Sequence, residues 1–240
     1  MAAKRKSKLI SIIIPVYNEE KFIERVISEV MRADCLGYKK EIIVVNDGST
    51  DNTFNILKNK YKNLLIIINK NKNEGKGASL KDGFLRSTGD IVIIQDADLE
   101  YNPRDYPILL EPFVRYDADV VYGSRFITNK PHRVLYFWHY VINLFLTTLS
   151  NMFTNLNLTD METGYKVFKG ALIRKIAPYL QSKRFGFEPE ITARIAKIKN
   201  IKIYEVGISY QGRTYDEGKK IGWIDGLKAI YEIIRFNLFK

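Results

Sequence analysis

Short apolar runs alternate with segments of helical periodicity through the first half of the chain, and this alternation constrains the fold more than any other feature. Branched apolar residues fill most of each run, as in "LISIII" and "DIVIIQ". Strands of this kind are buried on both faces, and the helices between them supply the crossovers that parallel pairing needs. The sequence therefore predicts an α/β fold with a mainly parallel central sheet flanked by helices. The predicted strands cover residues 9–14, 41–46, 64–69, 90–95 and 118–123, and the predicted helices cover 19–31, 51–61, 78–87 and 107–116.

Length and composition favour a single globular domain. The 240 residues are enough for a full hydrophobic core, and neither a repeat nor a flexible linker divides them. The one cysteine, Cys35, excludes an internal disulfide and favours a reducing compartment. The first residues, "MAAKRKSK", are basic but lack the apolar stretch of a secretory signal. We therefore expect a disordered basic N-terminus over 1–8, one domain over 9–240 and a cytoplasmic location.

The net charge of +11 is compatible with nucleic acid, anionic lipid or a phosphorylated substrate as partner. Nucleic-acid binding needs a basic face interleaved with aromatic residues. Here the lysines are spread over several loops and both termini, so nucleic acid is only a distant alternative. A solvated lysine-rich surface explains much of the charge equally well.

Acidic side chains follow three of the predicted strands. Glu19 comes after the first strand, Asp47 after the second, and Asp96 with Asp98 after the fourth. One acid at a strand end is usually a cap, but ligands of parallel sheets bind beyond the carboxyl ends of the strands. In "DAD" the two carboxylates share a side if the backbone stays extended, and hard oxygen ligands suit Mg²⁺ or Mn²⁺ rather than zinc. The pattern predicts a divalent metal ion that holds a nucleotide diphosphate.

Five motifs, in order, carry a family resemblance. "SIIIPVYNEE", "IIVVNDGSTDNT", "NEGKGASLKDGF", "GDIVIIQDADLEYNP" and "YGSRF" resemble the family 2 glycosyltransferases with the GT-A fold, and most of all the polyprenyl- and dolichyl-phosphate sugar synthases. The resemblance spans residues 9–222. A dinucleotide-binding fold is excluded because its glycine fingerprint should follow the first strand, where this chain has "PVYNEE".

The resemblance implies a donor half over 9–126, an acceptor and membrane half over 127–240, and roles for individual residues. In the donor site, Gly75 and Gly77 would allow a tight turn and a helix N-terminus near the donor. Asp96 and Asp98 would bind the metal ion, with Glu100 as a further ligand. The implied donor contacts are Pro15, Tyr17, Glu19, Asp47, Gly77, Asp96, Ala97, Arg213 and Lys220, with Lys219 as an alternative to Lys220, and the implied catalytic residues are Asp98, Arg125, Arg133 and Lys220.

The second half contains two amphipathic segments. Residues 135–154 carry a polar stripe that includes His139, Asn143 and Thr147, opposite an arc that includes Phe137 and Trp138. This helix either packs on the core or lies in a bilayer interface, and the stripe argues against spanning. A second such helix covers 222–240. The sequence therefore predicts peripheral attachment at the cytoplasmic face of a membrane.

Between these segments, "FGFEPEITARIAK" reads as an ordinary helix. We expect Glu188 and Glu190 to cap its first turn and to have no catalytic role.

The resemblance implies inverting transfer of a hexose from GDP-mannose or UDP-glucose to a polyprenyl or dolichyl phosphate. A lipid phosphate is already anionic and needs no general base, but it needs cations such as Arg125, Arg133 and Lys220. The alternative is a family 2 enzyme that acts on a glycan or protein hydroxyl. That reaction would need a base, and Asp160 and Glu162 are the candidates.

Overall fold

A computed structural model describes residues 8–127, 133–134, 136–212 and 223–239, with the side chains of 223–225 excepted. The strands are β1 (Leu9–Val16), β2 (Lys39–Asn46), β3 (Ile66–Asn69), β4 (Ile91–Ile94), β5 (Val120–Ser124), β6 (Lys166–Lys169) and β7 (Ile203–Gly207). The helices are α1 (Ile23–Arg32), α2 (Thr53–Ile56), α3 (Lys76–Arg86), α4 (Tyr106–Arg115), α5 (Phe137–Thr154), α6 (Gly170–Ile176), α7 (Phe187–Ala196) and α8 (Trp223–Leu238). A π-helical turn, Leu57–Tyr61, extends α2.

These strands form one sheet in the order β3-β2-β1-β4-β6-β5-β7. The pairs β1–β2, β1–β4, β2–β3 and β5–β7 are parallel, whereas β6 is antiparallel to both β4 and β5. The predicted mainly parallel α/β architecture is confirmed. Strands β6 and β7 and helix α6 were not predicted, because each is at most seven residues long and carries charged residues that interrupt its apolar run.

Two apolar layers, one on each face of the sheet, explain why the strands are apolar throughout. Ile10, Ile12 and Ile14 of β1 pack in one layer, and Ile13 packs in the other. Alternate side chains of an extended strand point to opposite faces, so each face of β1 is covered. The sheet is thereby fixed on both sides, and its carboxyl edge is a rigid platform.

Several helix starts differ from the prediction, and the largest difference is at α1, which begins at Ile23 and not at residue 19. Helix α3 begins at Lys76, two residues before the expected start. Helix α2 begins at Thr53, two residues after the expected start, with Asn52 as its N-cap residue. The Asp51 carboxylate still accepts a hydrogen bond from the backbone N–H of Thr53 at 3.0 Å.

Helix α5 presents its polar stripe to the protein and its apolar arc to the outside. Thr147 and Ser150 are buried, and the Thr147 hydroxyl accepts a hydrogen bond from the N–H of Met161 at 3.1 Å. In contrast, Trp138 is 71% exposed and Met152 is 76% exposed. Helix α5 therefore packs on the core through its polar stripe, Leu146 and Leu149, and most of its apolar arc is left exposed.

None of the helices in the described ranges is both long enough and apolar enough to cross a membrane.

Candidate active site

The carboxyl ends of β1, β2 and β4 open into a cavity of about 1080 Å³. Residues of α3, α5 and the segment before α7 complete its wall. The acids that follow the three strands all line this cavity, so the three strand ends meet at one edge of the sheet. Nine of the predicted site residues line this cavity: Pro15, Tyr17, Glu19, Asp47, Asp96, Ala97, Asp98, Glu100 and Arg125.

Asp47 anchors the loop that leads into α3. Its two carboxylate oxygens accept the backbone N–H groups of Glu74 at 3.1 Å and Gly75 at 2.7 Å. The ammonium of Lys70 lies 3.2 Å from the same carboxylate, with 9% of the lysine side chain exposed. Asp47 therefore shapes one wall of the cavity as well as lining it.

Lys76, which the sequence analysis did not single out, lies between two cavity carboxylates. Its ammonium is 2.9 Å from Asp96 and 3.3 Å from Glu188. Burial alone would lower the pKa of Lys76, but the two carboxylates outweigh burial and raise its pKa above the ordinary value. The amine is therefore a fixed positive charge at the end of β4.

The glycines on either side of Lys76 set the position of its backbone. A Cβ on Gly75 would lie 2.3 Å from the carbonyl oxygen of Lys183, and a Cβ on Gly77 would lie 2.2 Å from that of Ser182. Gly75 also has a φ of 102°, which favours glycine. The two glycines thus let this backbone lie directly on the backbone of 182–184. Gly77, expected to contact the donor, occupies a packing position and does not line the cavity.

The chain turns just after β4, so the extended backbone assumed for "DAD" is not present. Asp98 accepts the N–H of Glu100 at 3.1 Å, and Leu99 between them has a φ of 61°. The Glu100 carboxylate accepts a hydrogen bond from the hydroxyl of Tyr210 at 2.9 Å. Asp96 and Asp98 nevertheless both line the cavity.

A divalent cation fits this arrangement if it takes further ligands from a diphosphate and water. Within the described ranges, no group of three or more His, Cys, Asp or Glu side chains is arranged to hold a metal ion by itself. Mg²⁺ characteristically binds through one or two carboxylates together with substrate phosphates. The ammonium of Lys76 already paired with Asp96 shows that this carboxylate attracts a cation.

Arg125 is held rigidly by Asp160. The guanidinium donates to both carboxylate oxygens of Asp160, each at 2.6 Å, and lies over the ring of Tyr210 at 5.2 Å. Glu205 fixes the Asp160 backbone by accepting its N–H at 3.1 Å. Both oxygens of Asp160 are therefore occupied by Arg125, which removes one of the two candidate bases from easy reach of an acceptor.

Glu162 is the other candidate base, and it differs from Asp160 in having an unused oxygen. Its Oε1 is buried without a hydrogen-bond partner among the described residues, and the residue lines the cavity. Burial, reinforced by the carboxylate of Glu188, raises the pKa of Glu162 to about 8. The neighbouring Lys166 is fully buried and donates to the carbonyls of Met161 and Thr163, which fixes the turn that carries Glu162.

The acids of α7 do not have the roles expected of them. Glu190 accepts backbone N–H groups of Gln181 and Ser182, not those of its own first turn. Glu188 lines the cavity and pairs with Lys76. From sequence alone, a glutamate in the first turn of a helix is predicted to cap that helix. Only the tertiary structure shows that Glu188 instead lines the cavity and pairs with Lys76.

The remaining predicted residues lie away from the cavity or outside the described ranges. Arg133 donates to the carbonyl of Gly212 at 3.1 Å and does not line the cavity. Arg213, Lys219 and Lys220 fall outside the described residues.

The sequence profile of the family described as "Glycosyl transferase family 2" matches residues 11–177, which is most of the chain. The chain belongs to glycosyltransferase family 2. The family 2 assignment agrees with the cavity, because all the acids discussed above except Glu188, Glu190 and Glu205 fall within the matched segment.

Relatives of this glycosyltransferase include two dolichyl-phosphate enzymes. It is 28% identical to the UDP-N-acetylglucosamine–dolichyl-phosphate N-acetylglucosaminyltransferase of Methanococcus voltae, over 97% of this chain and 98% of the relative. It is 27% identical to the dolichyl-phosphate beta-glucosyltransferase of Saccharomyces cerevisiae, over 94% of this chain and 73% of the relative.

The fold is shared with glucosyl-3-phosphoglycerate synthase of Mycobacterium tuberculosis. The TM-score is 0.72 at 19% identity, over 97% of this chain and 80% of that chain, in a crystal structure with Mn²⁺, UDP and phosphoglyceric acid.

Proposed function

We propose that this glycosyltransferase moves a hexose from a nucleotide diphosphate sugar to the phosphate of a polyprenyl or dolichyl lipid, with inversion at the anomeric carbon. The observation that carries the proposal is that α5 serves two surfaces. Ile142 and Leu146 line the cavity, Phe145 and Met152 are exposed to the outside, and Trp138 is exposed and also lines the cavity. A lipid phosphate would enter along α5 while its isoprenoid chain stays against apolar side chains.

The donor we favour is a UDP-linked hexose, with GDP-mannose as the competing donor. The name of the Methanococcus voltae relative specifies a UDP-sugar and a dolichyl-phosphate acceptor, and the two chains align over nearly their full lengths. Tyr17, Glu19 and Asp47 would hold the nucleoside at the ends of β1 and β2. Arg213 and Lys220 remain proposed contacts of the diphosphate.

Asp96 and Asp98 would hold Mg²⁺ or Mn²⁺, with Glu100 as a proposed additional ligand. When bound, the ion would offset the negative charge that builds up on the leaving diphosphate. The structural neighbour from Mycobacterium tuberculosis was crystallised with Mn²⁺ and UDP together, which supports this proposal.

The chain's own residues would bring two anions together and exclude water. Arg125 faces the cavity as a rigid cation, because Asp160 fixes its guanidinium. A lipid phosphate is ionised at neutral pH and attacks without losing a proton, so no base is required of Asp160. Arg133 lies outside the cavity on the side of Gly212, where it would meet the phosphate before it enters.

A hydroxyl acceptor on a glycan or protein is the alternative, and Glu162 is the observation that favours it. Because its pKa of about 8 lies near neutral pH, a fraction of Glu162 is ionised there, and that fraction could accept a proton from a hydroxyl. The variant Glu162→Gln separates the two reactions. Transfer to a lipid phosphate should retain most of its rate in this variant, whereas transfer to a hydroxyl should fall by about 100-fold or more.

The test of the proposed function is a matrix of donors and acceptors. Purified protein with Mn²⁺ is incubated with UDP-glucose, UDP-N-acetylglucosamine or GDP-mannose, and with polyprenyl phosphate or the matching polyprenol. Product should form with one donor and with the phosphate only, and its anomeric configuration should be β. Transfer to the polyprenol at an equal rate would contradict the proposed acceptor.

We also propose that the protein works while attached to the cytoplasmic face of a membrane without spanning it. The exposed arc of α5 and the exposed Leu227 and Tyr231 of α8, the helix that packs beside it, support this attachment.

A further inference from the structure

Lys76 occupies the position on Asp96 that a metal ion would need. Its ammonium is 2.9 Å from one carboxylate oxygen of Asp96 and 3.0 Å from the other. A divalent ion would approach the same oxygens to about 2.1 Å. The ion and the ammonium are both positive, so they cannot share these oxygens without strong repulsion.

The backbone gives Lys76 little freedom to avoid Asp96. Gly75 and Gly77 press the chain on both sides of Lys76 against residues 182–184, with no room for a Cβ at either position. The lysine also begins α3, whose next turns pack on β1 and β2. Any displacement of the ammonium must therefore come from rotation of the side chain.

Glu188 could pair with the Lys76 ammonium once that ammonium is displaced from Asp96. Its Oε1 is already 3.3 Å from the Lys76 amine, and its Oε2 is buried with no hydrogen-bond partner in the part of the chain that the structure describes. A small rotation toward Glu188 would satisfy that oxygen and leave Asp96 open. Glu188 therefore already contacts the Lys76 ammonium through one oxygen and has a second oxygen that could accept a hydrogen bond from it.

We propose that Lys76 is the counter-ion of Asp96 when no metal ion is bound, and that a metal ion binds only when this ammonium moves to Glu188 and to the donor diphosphate. This inference rests on the metal site of the proposed function, and it adds that the metal ion binds together with the nucleotide and not before it. The metal ion alone must compete with Lys76, whereas a metal ion that arrives with a diphosphate brings a new partner for the lysine. Metal and nucleotide therefore bind together.

The test measures Mn²⁺ binding by titration calorimetry with no sugar or lipid present. Wild type should bind Mn²⁺ weakly without nucleotide, and Lys76→Met should bind it more tightly by about tenfold, a common size for coupled sites. Lys81→Met is the matched control, because Lys81 lies on the same helix and donates to the carbonyls of Pro178 and Leu180 outside the cavity. Its Mn²⁺ affinity should equal that of wild type.

A second variant covers the case in which Lys76→Met does not fold. Lys76→Gln keeps a hydrogen-bond donor for Asp96 but loses the charge, so it should also bind Mn²⁺ more tightly than wild type. In both variants, saturating UDP or GDP should increase the Mn²⁺ affinity less than it does in wild type.

The outcomes separate this inference from the proposed function. Equal or weaker Mn²⁺ binding by the Lys76 variants, with nucleotide-dependent binding intact in wild type, overturns the role of Lys76 alone. If wild type binds no Mn²⁺ even with UDP or GDP, both the inference and the metal site fail. Loss of transfer to lipid phosphate, with the binding results as expected, would count against the acceptor only.

Discussion

Asp98 is the residue on which the proposed chemistry depends most directly. Charge compensation by a metal ion is worth several kcal/mol, and each 1.4 kcal/mol is tenfold in rate, so Asp98→Asn should lower turnover by about 100-fold or more. The same substitution at Asp117, which is exposed and pairs with Lys169 and Lys202 away from the cavity, is the control. Steady-state rates that match for the two variants would remove Asp98 from the chemistry.

Glu162 should make stability depend on pH. Burial raises its pKa from 4.5 to about 8, so the native protein keeps a proton that the unfolded chain releases. This contribution is complete below pH 4.5 and is lost as pH rises toward 8, by at most about 1.4 kcal/mol per pH unit. Glu162→Gln cannot titrate, so its stability relative to wild type should increase between pH 5 and 7.5. Urea unfolding at both pH values measures the difference, and parallel changes in the two proteins would contradict the assigned environment.

At the scale of the element, α5 is inverted with respect to an ordinary surface helix. Its exposed apolar arc predicts binding to liposomes that strengthens with anionic lipid and weakens in high salt, because the net charge of +11 adds an electrostatic component. Replacing Phe137 and Trp138 by Ser should weaken co-sedimentation. Leu64→Ser with Leu85→Ser is the matched control, since both leucines are exposed but lie outside α5, in the turn before β3 and on α3. Equal loss in the two double variants would show that α5 is not the contact.

The elements differ in how well the sequence predicts them, and burial explains the difference. Strands β1, β2 and β4 are apolar on both faces, so their runs are visible without a structure. Strand β6, "KVFK", is only four residues long and completes the sheet by antiparallel pairing between β4 and β5, which is a tertiary choice. The polarity of α5 was predicted correctly, but periodicity alone does not say which face turns inward.

The sequence predicts which residues line the cavity where they follow strand ends, and fails to do so where their position depends on contacts across the fold. Nine expected residues line the cavity because the ends of parallel strands meet at one edge. Lys76 and Glu188 were missed, since a lysine between glycines and a glutamate in a first turn have common structural roles. Their pairing links α3 to α7, more than 100 residues apart in the chain, and no local pattern encodes it.

At the scale of the whole molecule, ligand binding should raise the free energy of unfolding and the Tm. Mn²⁺ and the correct nucleotide at about 100 times their dissociation constant add about 2.7 kcal/mol, which raises the Tm of a chain this long by roughly 5–10 °C. EDTA should remove the shift, and Asp98→Asn should not show it. A shift with nucleotide that persists in EDTA would mean that the metal ion is not needed for donor binding.

The place of β4 in the sheet also matters while the protein is being made. Strand β4 lies between β1 and β6, and β6 begins about 70 residues after β4 ends. At translation rates of 5–20 residues per second, the nascent sheet waits roughly 4–14 s before β6 can pair with β4. During that time the acid-bearing strand is an open apolar edge, which can pair with other chains. A chain that is truncated between β5 and β6 would therefore keep β4 as an open edge at which it can aggregate.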